Sequence, residues 1–361
     1  MGHVNLIEQA RGTQRSINVV GQDELHARLS AWQEFVARQG EGPLNRDPAW
    51  LLVLADGRGH VPYCLEAMSG GQITGILPLA LVASPLFGRF LVSLPHVSSG
   101  GVCSDDTTTA LELVDRAIAL ADELDVDFLE LRHERLLPHP QLQHVVTDKA
   151  HMRMDLPVDE GQLWDQVGTK IRNQVRKAEQ LSFRETWGGV ELLDDFYAIY
   201  TRRMRDFGTP TDGKVLFERI LAGFPHRAEL IVVRQQDRPV AAAMVLHGQG
   251  LSEMHRSAAL TELRSTGVNT WLHWQVLLRT QQCGNRRFDF GRPTVGSSVY
   301  TFKKRFGATP QPAAVQHYLR RGSPEGLRRA GGKFKLPIKL WSCLPVCATR
   351  WLGPWIARGM P

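Results

Sequence analysis

The segment Arg287 to Gly307, RFDFGRPTVGSSVYTFKKRFG, combines cations and aromatic residues in a pattern suited to chemistry. Lys303 and Lys304 lie between Phe302 and Phe306. Aromatic neighbours hold a lysine in place by packing on its apolar stem. A cation fixed in a partly desolvated cleft interacts with an anion far more strongly than in water, and it can stabilise an oxyanion that forms during acyl transfer. Lys303 is therefore the first candidate catalytic residue; the alternative is a lysine-rich solvated surface.

Two further residues are candidates for proton transfer or for orienting a substrate. Asp289 alternates with the apolar residues beside it, so it points to the opposite face of its strand, toward Arg287 or Gly291. It either orients a substrate amine or pairs with Arg292. His255 lies on another predicted strand and is a candidate base toward an amine nucleophile, because its pKa is ordinarily near neutrality. The alternative for His255 is a buried structural histidine.

A second anion site is predicted in the loop Leu263 to Thr270, where a strand gives way to a helix at Gly267. The first turn of a helix offers unpaired backbone N–H groups and a partial positive charge, which together bind phosphate or an oxyanion. Arg264 and Asn269 would reinforce such a site, and Val268 would begin the helix. An ordinary turn is the alternative.

A third candidate is the basic flank of a predicted amphipathic helix. Its apolar residues recur at helical spacing, which leaves polar and basic residues on the flanks. This flank either binds phosphates of RNA, CoA or a lipid-linked sugar, or is merely solvated. The predicted substrate-binding residues are Arg172, Asn173, Arg176 and Lys177 on this flank and Arg292, Tyr300 and Lys304 in the first segment.

The elements that position these residues form a repeat. Each half contains a hairpin, a strand, a loop, a helix and a strand, and the halves are offset by about 160 residues. Two copies of one α/β unit, with mixed sheets flanked by helices, account for this order. The copies place their hairpins at 61–82 and 229–247, strands at 90–94 and 251–260, helices at 107–124 and 268–283, and last strands at 126–132 and 286–290.

The repeat suggests three parts of the chain. Residues 1–155 form the first unit, 156–320 the second unit with the candidate active site, and 321–361 a basic, aromatic-rich tail. The stretch 160–224, between the copies, is predicted to be helical, with Asp212 capping its third helix.

Charge and composition bound the function further. Nine of the Lys and Arg residues, but only one acidic residue, lie between Arg320 and Pro361, so the rest of the chain has a net charge of about −2 against the total of +6. Basic and aromatic residues mixed over 334–356 suit peripheral contact with an anionic membrane; the alternative is a tail packed on the protein or in a dimer. The five cysteines show neither disulfide nor zinc spacing, and the N-terminus lacks a signal-peptide pattern, which predicts a cytoplasmic protein without a metal.

Taken together, the motifs resemble the FemAB-like branch of the GNAT acyltransferase superfamily, whose members contain two GNAT-like domains in tandem. In particular, the chain resembles the FemAB-related proteins associated with exosortase/PEP-CTERM systems. The resemblance rests on the following segments: KIRNQVRKA (170–178), MRDFGTP (204–210), the strand with His255, the helix start at Gly267, FDFGR (288–292), VYTFKKRFGA (299–308), LPLALVASPLFGRFLVSLP and the C-terminal tail.

This resemblance implies acyl transfer to an amine, with acyl-CoA or aminoacyl-tRNA as co-substrate, no permanently bound cofactor and no DNA partner. It implies a cell-envelope or exopolysaccharide precursor as acceptor, and a catalytic role for Lys303. The first unit is expected to be degenerate. The usual CoA loop, Arg/Gln-x-x-Gly-x-Gly/Ala, has Asn269 at its last position here, a departure that counts against CoA as the donor. The rival interpretation is a non-catalytic GNAT-fold scaffold for envelope polysaccharide assembly at the membrane.

Overall fold

The computed structural model describes residues 15–322 and 335–360. Expectations about the N-terminal residues 1–14 and about Phe334 in the tail lie outside the described residues. The strands are β1 (Arg15–Val20), β2 (Val61–Ser69), β3 (Gln72–Ser84), β4 (Gly88–Val92), β5 (Cys103–Ser104), β6 (Phe128–His133), β7 (His144–Val146), β8 (Ala150–Asp155), β9 (Arg184–Gly188), β10 (Ala228–Gln235), β11 (Arg238–His247), β12 (Leu251–Ala259), β13 (Arg287–Asp289), β14 (Thr309–Pro312) and β15 (Ala314–Leu319).

The helices surround two sheets built from these strands. They are α1 (Leu25–Arg38), α2 (Trp50–Arg58), α3 (Thr107–Glu123), α4 (Glu160–Gln166), α5 (Thr169–Glu179), α6 (Leu193–Asp206), α7 (Lys214–Gly223), α8 (Val268–Gln282), α9 (Ser298–Arg305), α10 (Lys335–Cys343) and α11 (Val346–Arg358). Within the described residues, none of these helices combines the length and the apolar character needed to cross a bilayer.

Both halves contain the predicted hairpin, strand, helix and strand. The first sheet has the order β1-β2-β3-β4-β6-β15-β7, with β5 beside β3, and the second has the order β14-β8-β13-β12-β11-β10-β9. In each sheet the strand before the central helix runs parallel to the strand after it, as β4 does to β6 and β12 to β13. The mixed sheets flanked by helices confirm the predicted fold class.

The sheets exchange strands. β8 comes from the end of the first half of the chain and lies in the second sheet, whereas β15 comes from the end of the second half and lies in the first sheet. One apolar core also spans both halves, because Trp50 of α2 packs on Phe224, with ring centroids 5.0 Å apart. The division at residue 155 remains a prediction about units that are closely joined here.

Two expectations for the connecting stretch were wrong. The region predicted to be helical contains a strand, β9, which pairs with β10 at the edge of the second sheet. Asp212 does not cap α7, since Gly213 occupies the N-cap position without a side-chain hydrogen bond. Instead, the buried Asp212 carboxylate forms an ion pair with Arg58 at the end of α2. The Asp212 carboxylate, which the sequence suggested as a local helix cap, thus joins α2 to the segment before α7.

The C-terminal helices pack on the protein. Arg58 Nη1 donates a hydrogen bond of 2.6 Å to the carbonyl of Ala357 in α11, and His60 Nε2 lies 2.9 Å from the carbonyl of Arg358. Gly353 lies against Thr211, where an added Cβ would approach the Thr211 backbone nitrogen to 2.8 Å. The inner face of α11 therefore agrees with the alternative in which the tail packs on the protein.

We expect Arg58→Ala to lower the free energy of unfolding by about 3–5 kcal/mol, because it leaves the Asp212 carboxylate buried without its main partner. Urea denaturation followed by circular dichroism would measure the loss. Arg219→Ala is the matched control, because the exposed Arg219 lies 3.8 Å from Asp56, and such a pair contributes at most about 1 kcal/mol. Equal losses in the two variants would show that the buried pair has no special weight.

Candidate active site

Lys303 lies on α9 with its ammonium turned inward. Ser297 caps the helix by accepting a hydrogen bond of 3.1 Å from the backbone N–H of Tyr300, as a Ser at the N-cap position is expected to do. The Nζ of Lys303 donates a hydrogen bond to the carbonyl of Phe290, just beyond the end of β13. The cap fixes the start of the helix, and this bond fixes the position of the charge.

The aromatic residues of α9 hold the helix rather than the lysines. Phe302 and Phe306 pack on the His273 ring of α8, with centroid distances of 5.1 and 5.7 Å. The exposed Lys304 instead has its Nζ 6.0 Å from the centre of the Tyr300 ring. The two lysines therefore do not both lie between the aromatic residues, as the sequence suggested. The phenylalanines anchor α9, and Lys303 faces the strands.

Two carboxylates lie close to this ammonium group. Glu253 on β12 and Asp289 on β13 are register partners in the parallel pairing of these strands. They are the last paired residues, and β12 continues beyond them without β13. Partners in register project to the same face of a sheet. Burial lowers the pKa of Lys303 to about 8, although the charges of Asp289 and Glu253 act in the opposite direction. The site thus holds a cation that titrates near neutrality where two strands separate.

Asp289 is held by three groups from two parts of the chain. His151 Nδ1 and Arg153 Nε, both on β8, lie 3.1 and 2.9 Å from its Oδ2, and the backbone N–H of Gly291 donates to Oδ1 at 2.8 Å. Burial alone would raise the pKa of Asp289, but the hydrogen bond and charge of His151, with Arg153, hold it below its usual value. Asp289 points toward Gly291 as predicted. Of its two alternative roles, pairing with Arg292 is not what the structure shows, since His151 and Arg153 are its partners.

Glu253 is a candidate that the sequence reasoning missed. The side chain is 3% exposed and accepts hydrogen bonds from two residues of the first half, Asn45 Nδ2 at 2.5 Å and Ser98 Oγ. Burial and the nearby charge of Asp289 raise the pKa of Glu253. The sequence signal that could have identified it is a carboxylate two residues before His255 in the same predicted strand. Glu253 is a carboxyl group suited to accepting a proton.

His255 lies two residues after Glu253 on β12, at an irregularity in the pairing of β12 with β11. Its ring packs on Trp50 of α2 at a centroid distance of 5.6 Å, and its Nε2 is buried without a hydrogen-bond partner. Burial, with the charges of Arg256 and Arg58, lowers the pKa of His255 well below its usual value. The ring is therefore neutral at physiological pH, and it forms no hydrogen bond with Lys303 or Asp289.

The predicted anion loop has the expected helix start. Gly267 precedes α8 with φ +84°, and the first backbone bond of the helix runs from Trp271 N to the Gly267 carbonyl at 2.9 Å. A Cβ at Gly267 would lie 2.7 Å from the carbonyl oxygen of Gln174, so glycine also permits α5 to pack on α8. Val268 is buried, whereas Arg264 is exposed without a hydrogen bond or ion pair to any described residue.

The basic flank of α5 is largely occupied by contacts within the protein. The Arg172 guanidinium donates to the carbonyls of Trp164, Asp165 and Val167 at the end of α4, at 3.1–3.2 Å. Arg176 lies over the Trp164 ring, and Lys177 Nζ donates to the carbonyl of Ser265 at 2.9 Å. Of the four predicted residues on this flank, Asn173 is the one that is exposed without such a contact. These contacts position the anion loop and α4, which was not foreseen.

Arg292 lies between the two halves of the chain. Its guanidinium forms no hydrogen bond or ion pair with the described residues. Burial, together with the neighbouring charge of Arg132, lowers the pKa of Arg292 to about 10, while the charges of Glu130 and Glu253 raise it. A cation that is mostly withdrawn from water and has no protein partner is available for an anionic ligand.

One cluster of metal-ligating types occurs in 15–322 and 335–360. Glu229, His247 and Cys283 have ligand atoms within 4.8 Å of one another. Both oxygens of Glu229 accept hydrogen bonds from Arg279, at 2.8 and 2.9 Å, so a metal ion would compete with a guanidinium for this carboxylate. The cluster fits a structural ion pair better than a metal centre.

Comparison with known proteins gives the fold of this arrangement. Residues 166–304 match the family model described as an acetyltransferase (GNAT) domain. This match covers the candidate residues of the second half from Arg172 to Lys304. No curated protein matches the chain in sequence.

Solved structures match nearly the entire chain. FemX has a TM-score of 0.62 at 13% identity, over 84% of this chain and 98% of its own. The C-terminal domain of a putative lysylphosphatidylglycerol synthetase from Agrobacterium fabrum has a TM-score of 0.56 at 10% identity, over 86% of this chain and 96% of its own. A tandem GNAT protein from the clavulanic acid biosynthesis pathway has a TM-score of 0.54 at 13% identity, over 85% of this chain and 100% of its own. The chain therefore folds as two GNAT-like units in tandem, and the family match supports acyl transfer as the class of reaction.

Proposed function

We propose that the protein is an N-acyltransferase that moves an acyl or aminoacyl group from its donor to an amine of a cell-envelope or exopolysaccharide precursor. The observation that carries the proposal is the inward-facing ammonium of Lys303 beside Asp289 and Glu253, where β12 and β13 separate. A preorganised cation with a neighbouring proton acceptor is what attack of an amine on a carbonyl requires.

The reaction would proceed by addition and elimination. The amine nitrogen attacks the carbonyl carbon of a thioester or ester, and the electron pair of the C=O bond moves to its oxygen. The Lys303 ammonium stabilises this oxyanion, and Glu253 accepts the proton that the amine loses. Collapse of the intermediate re-forms the C=O bond, leaves the amide and breaks the bond to the thiolate of CoA or the ribose oxygen of tRNA, which takes up the proton held by Glu253. His255 remains a secondary candidate for the base.

Donor and acceptor would approach through different groups. The helix start at Gly267, with Arg264, Val268 and Asn269, would bind the phosphates of the donor. Arg292, Tyr300 and Lys304 would bind the acceptor, with Arg292 as the cation that lacks a protein partner. Of the α5 flank, we retain Asn173 and Arg176 as ligand contacts and assign Arg172 and Lys177 chiefly to positioning.

The acceptor class rests on the sequence resemblance to FemAB-related proteins of PEP-CTERM systems. The similarity to FemX and to a lysylphosphatidylglycerol synthetase supports a shared scaffold. On this proposal the enzyme works in the cytoplasm, where acyl-CoA and aminoacyl-tRNA are made.

Donor binding tests the proposal. We expect acetyl-CoA, longer acyl-CoAs or aminoacyl-tRNA to raise the melting temperature, since a ligand that binds only the folded state stabilises it by about 2.7 kcal/mol at a hundredfold excess over Kd. Arg264→Ala should weaken binding of that donor by about tenfold, through loss of a charge-assisted hydrogen bond. Differential scanning fluorimetry would give the shift, and calorimetric titration the Kd.

Arg116→Ala is the matched control, because Arg116 pairs with Glu123 on the surface of α3. A melting temperature that no donor changes would contradict the enzyme and favour the rival scaffold. A donor that binds wild type and Arg264→Ala equally would keep the enzyme but remove the assigned loop.

A further inference from the structure

The last helix, α11, has two faces of different character. Thr349, Gly353 and Ala357, spaced by one turn, are buried against the protein. Trp351 and Trp355, also one turn apart, are 79% and 60% exposed. Side chains at i and i+4 share a helix face. A soluble surface gains nothing from holding two indole rings in water, so this face is suited to an interaction.

Neighbouring segments carry further exposed apolar residues. At the end of α11, a Cβ at Gly359 would meet Ser84 and Phe87 within about 3 Å, so the loop between β3 and β4 touches the helix there. Leu86, at the tip of that loop, is 58% exposed. On α10, Leu340 is 61% exposed. The exposed apolar residues thus come from a hairpin tip and two consecutive helices.

The charge of this region selects among partners. The segment 335–360 contains four cations, Lys335, Lys339, Arg350 and Arg358, and no acidic residue. Tryptophan combines an apolar ring with a polar N–H and suits the boundary between lipid and water, and cations near it are attracted to anionic headgroups. A second copy of this chain would bring the same positive charges face to face.

We propose that α10, α11 and the β3–β4 hairpin tip form a docking surface for a bilayer that contains anionic lipids. A helix of thirteen residues is about 20 Å long, shorter than the bilayer core of about 30 Å. α11 therefore lies in the plane of the headgroups, with Trp351 and Trp355 inserted and Thr349, Gly353 and Ala357 kept against the protein. This proposal is independent of the catalytic one.

Vesicle sedimentation of the full-length protein tests the docking surface. We expect binding to vesicles of phosphatidylcholine with phosphatidylglycerol, and much weaker binding to phosphatidylcholine alone, with the difference reduced by salt. Trp351→Ser with Trp355→Ser should lower the partition coefficient for anionic vesicles by at least about tenfold, through loss of two inserted rings. The melting temperature should stay near wild type, because both rings are exposed.

The matched control is Val158→Ser with Val190→Ser, which removes two apolar side chains that are 74% and 65% exposed elsewhere in the second unit. This control should bind vesicles as wild type does. Three results would overturn the proposal. In the first, wild type does not sediment with anionic vesicles. In the second, the tryptophan variant partitions into them as wild type does. In the third, light scattering at several protein concentrations shows self-association that requires the two tryptophans, while vesicle binding does not require them. The last would assign the surface to a second copy.

Discussion

Replacing Lys303 with Ala is expected to lower kcat/KM for acyl transfer by at least about a hundredfold, the loss typical of removing one preorganised oxyanion donor. The ammonium is held by the Phe290 carbonyl and by the field of Asp289 and Glu253, so its charge is already in position before the reaction begins. Steady-state kinetics with the donor identified by melting temperature would measure the loss. The fold should persist, because Phe302 and Phe306 rather than Lys303 anchor α9.

The pH dependence separates a charge effect from a packing effect. Burial lowers the pKa of Lys303 to about 8, so the ammonium is present below that pH and is lost above it. Wild-type kcat/KM should therefore fall as the pH rises above about 8. Lys303→Arg should retain part of the activity and lose this alkaline limb, because a guanidinium stays protonated.

Lys304→Ala is the matched control for Lys303→Ala. The two lysines are adjacent on α9, but Lys304 is exposed and its Nζ lies over Tyr300 rather than among the carboxylates. Its loss should change KM for the acceptor more than kcat. Full activity of Lys303→Ala, or an equal loss of kcat in both variants, would show that general basicity rather than one placed ammonium matters.

The sequence was sufficient for those parts of the structure that depend on local pattern. Alternating and helical periodicities predicted the two hairpins, α3 and α8, and repetition at a fixed offset predicted two units. Gly267 at a helix start and Lys303 in an aromatic segment were visible for the same reason, because each depends on neighbours within a few residues. The short strand β9 was missed because its pattern, RETWG, has no apolar alternation.

The contacts that complete the site were not accessible from local pattern. Glu253 receives its hydrogen bonds from Asn45 and Ser98, more than 150 residues earlier in the chain. Asp289 is held from β8, a strand that lies in the second sheet although it precedes the second unit. Periodicity does not report which distant polar group will meet a buried carboxylate. The sequence therefore offered the nearby Arg292 as one alternative partner of Asp289 and gave no sign of His151 and Arg153.

Replacing Glu253 with Gln is expected to lower kcat by about a hundredfold to ten-thousandfold, the range for loss of a general base. The amide has nearly the shape of the carboxylate but cannot accept the proton of the attacking amine. Burial and Asp289 raise the pKa of Glu253, so the carboxylate that acts as base is gained as the pH rises through that raised value. Wild type should therefore show an acidic limb in kcat/KM, and Glu253→Gln should lose it. The pH profiles of the two proteins would measure this.

Asn45→Ala and His255→Phe distinguish the base from its surroundings. The hydrogen bond from Asn45 stabilises the charged form of Glu253, so its removal should raise the pKa of that carboxyl further and move the acidic limb to higher pH. His255 has a pKa well below its usual value and is neutral over this range, so His255→Phe should leave the limb in place. If the limb survives in Glu253→Gln and disappears in His255→Phe, the histidine is the base. If Asn45→Ala lowers kcat without moving the limb, Asn45 acts on the fold rather than through Glu253, because only a change in the charge equilibrium of the carboxyl shifts the pH at which activity appears.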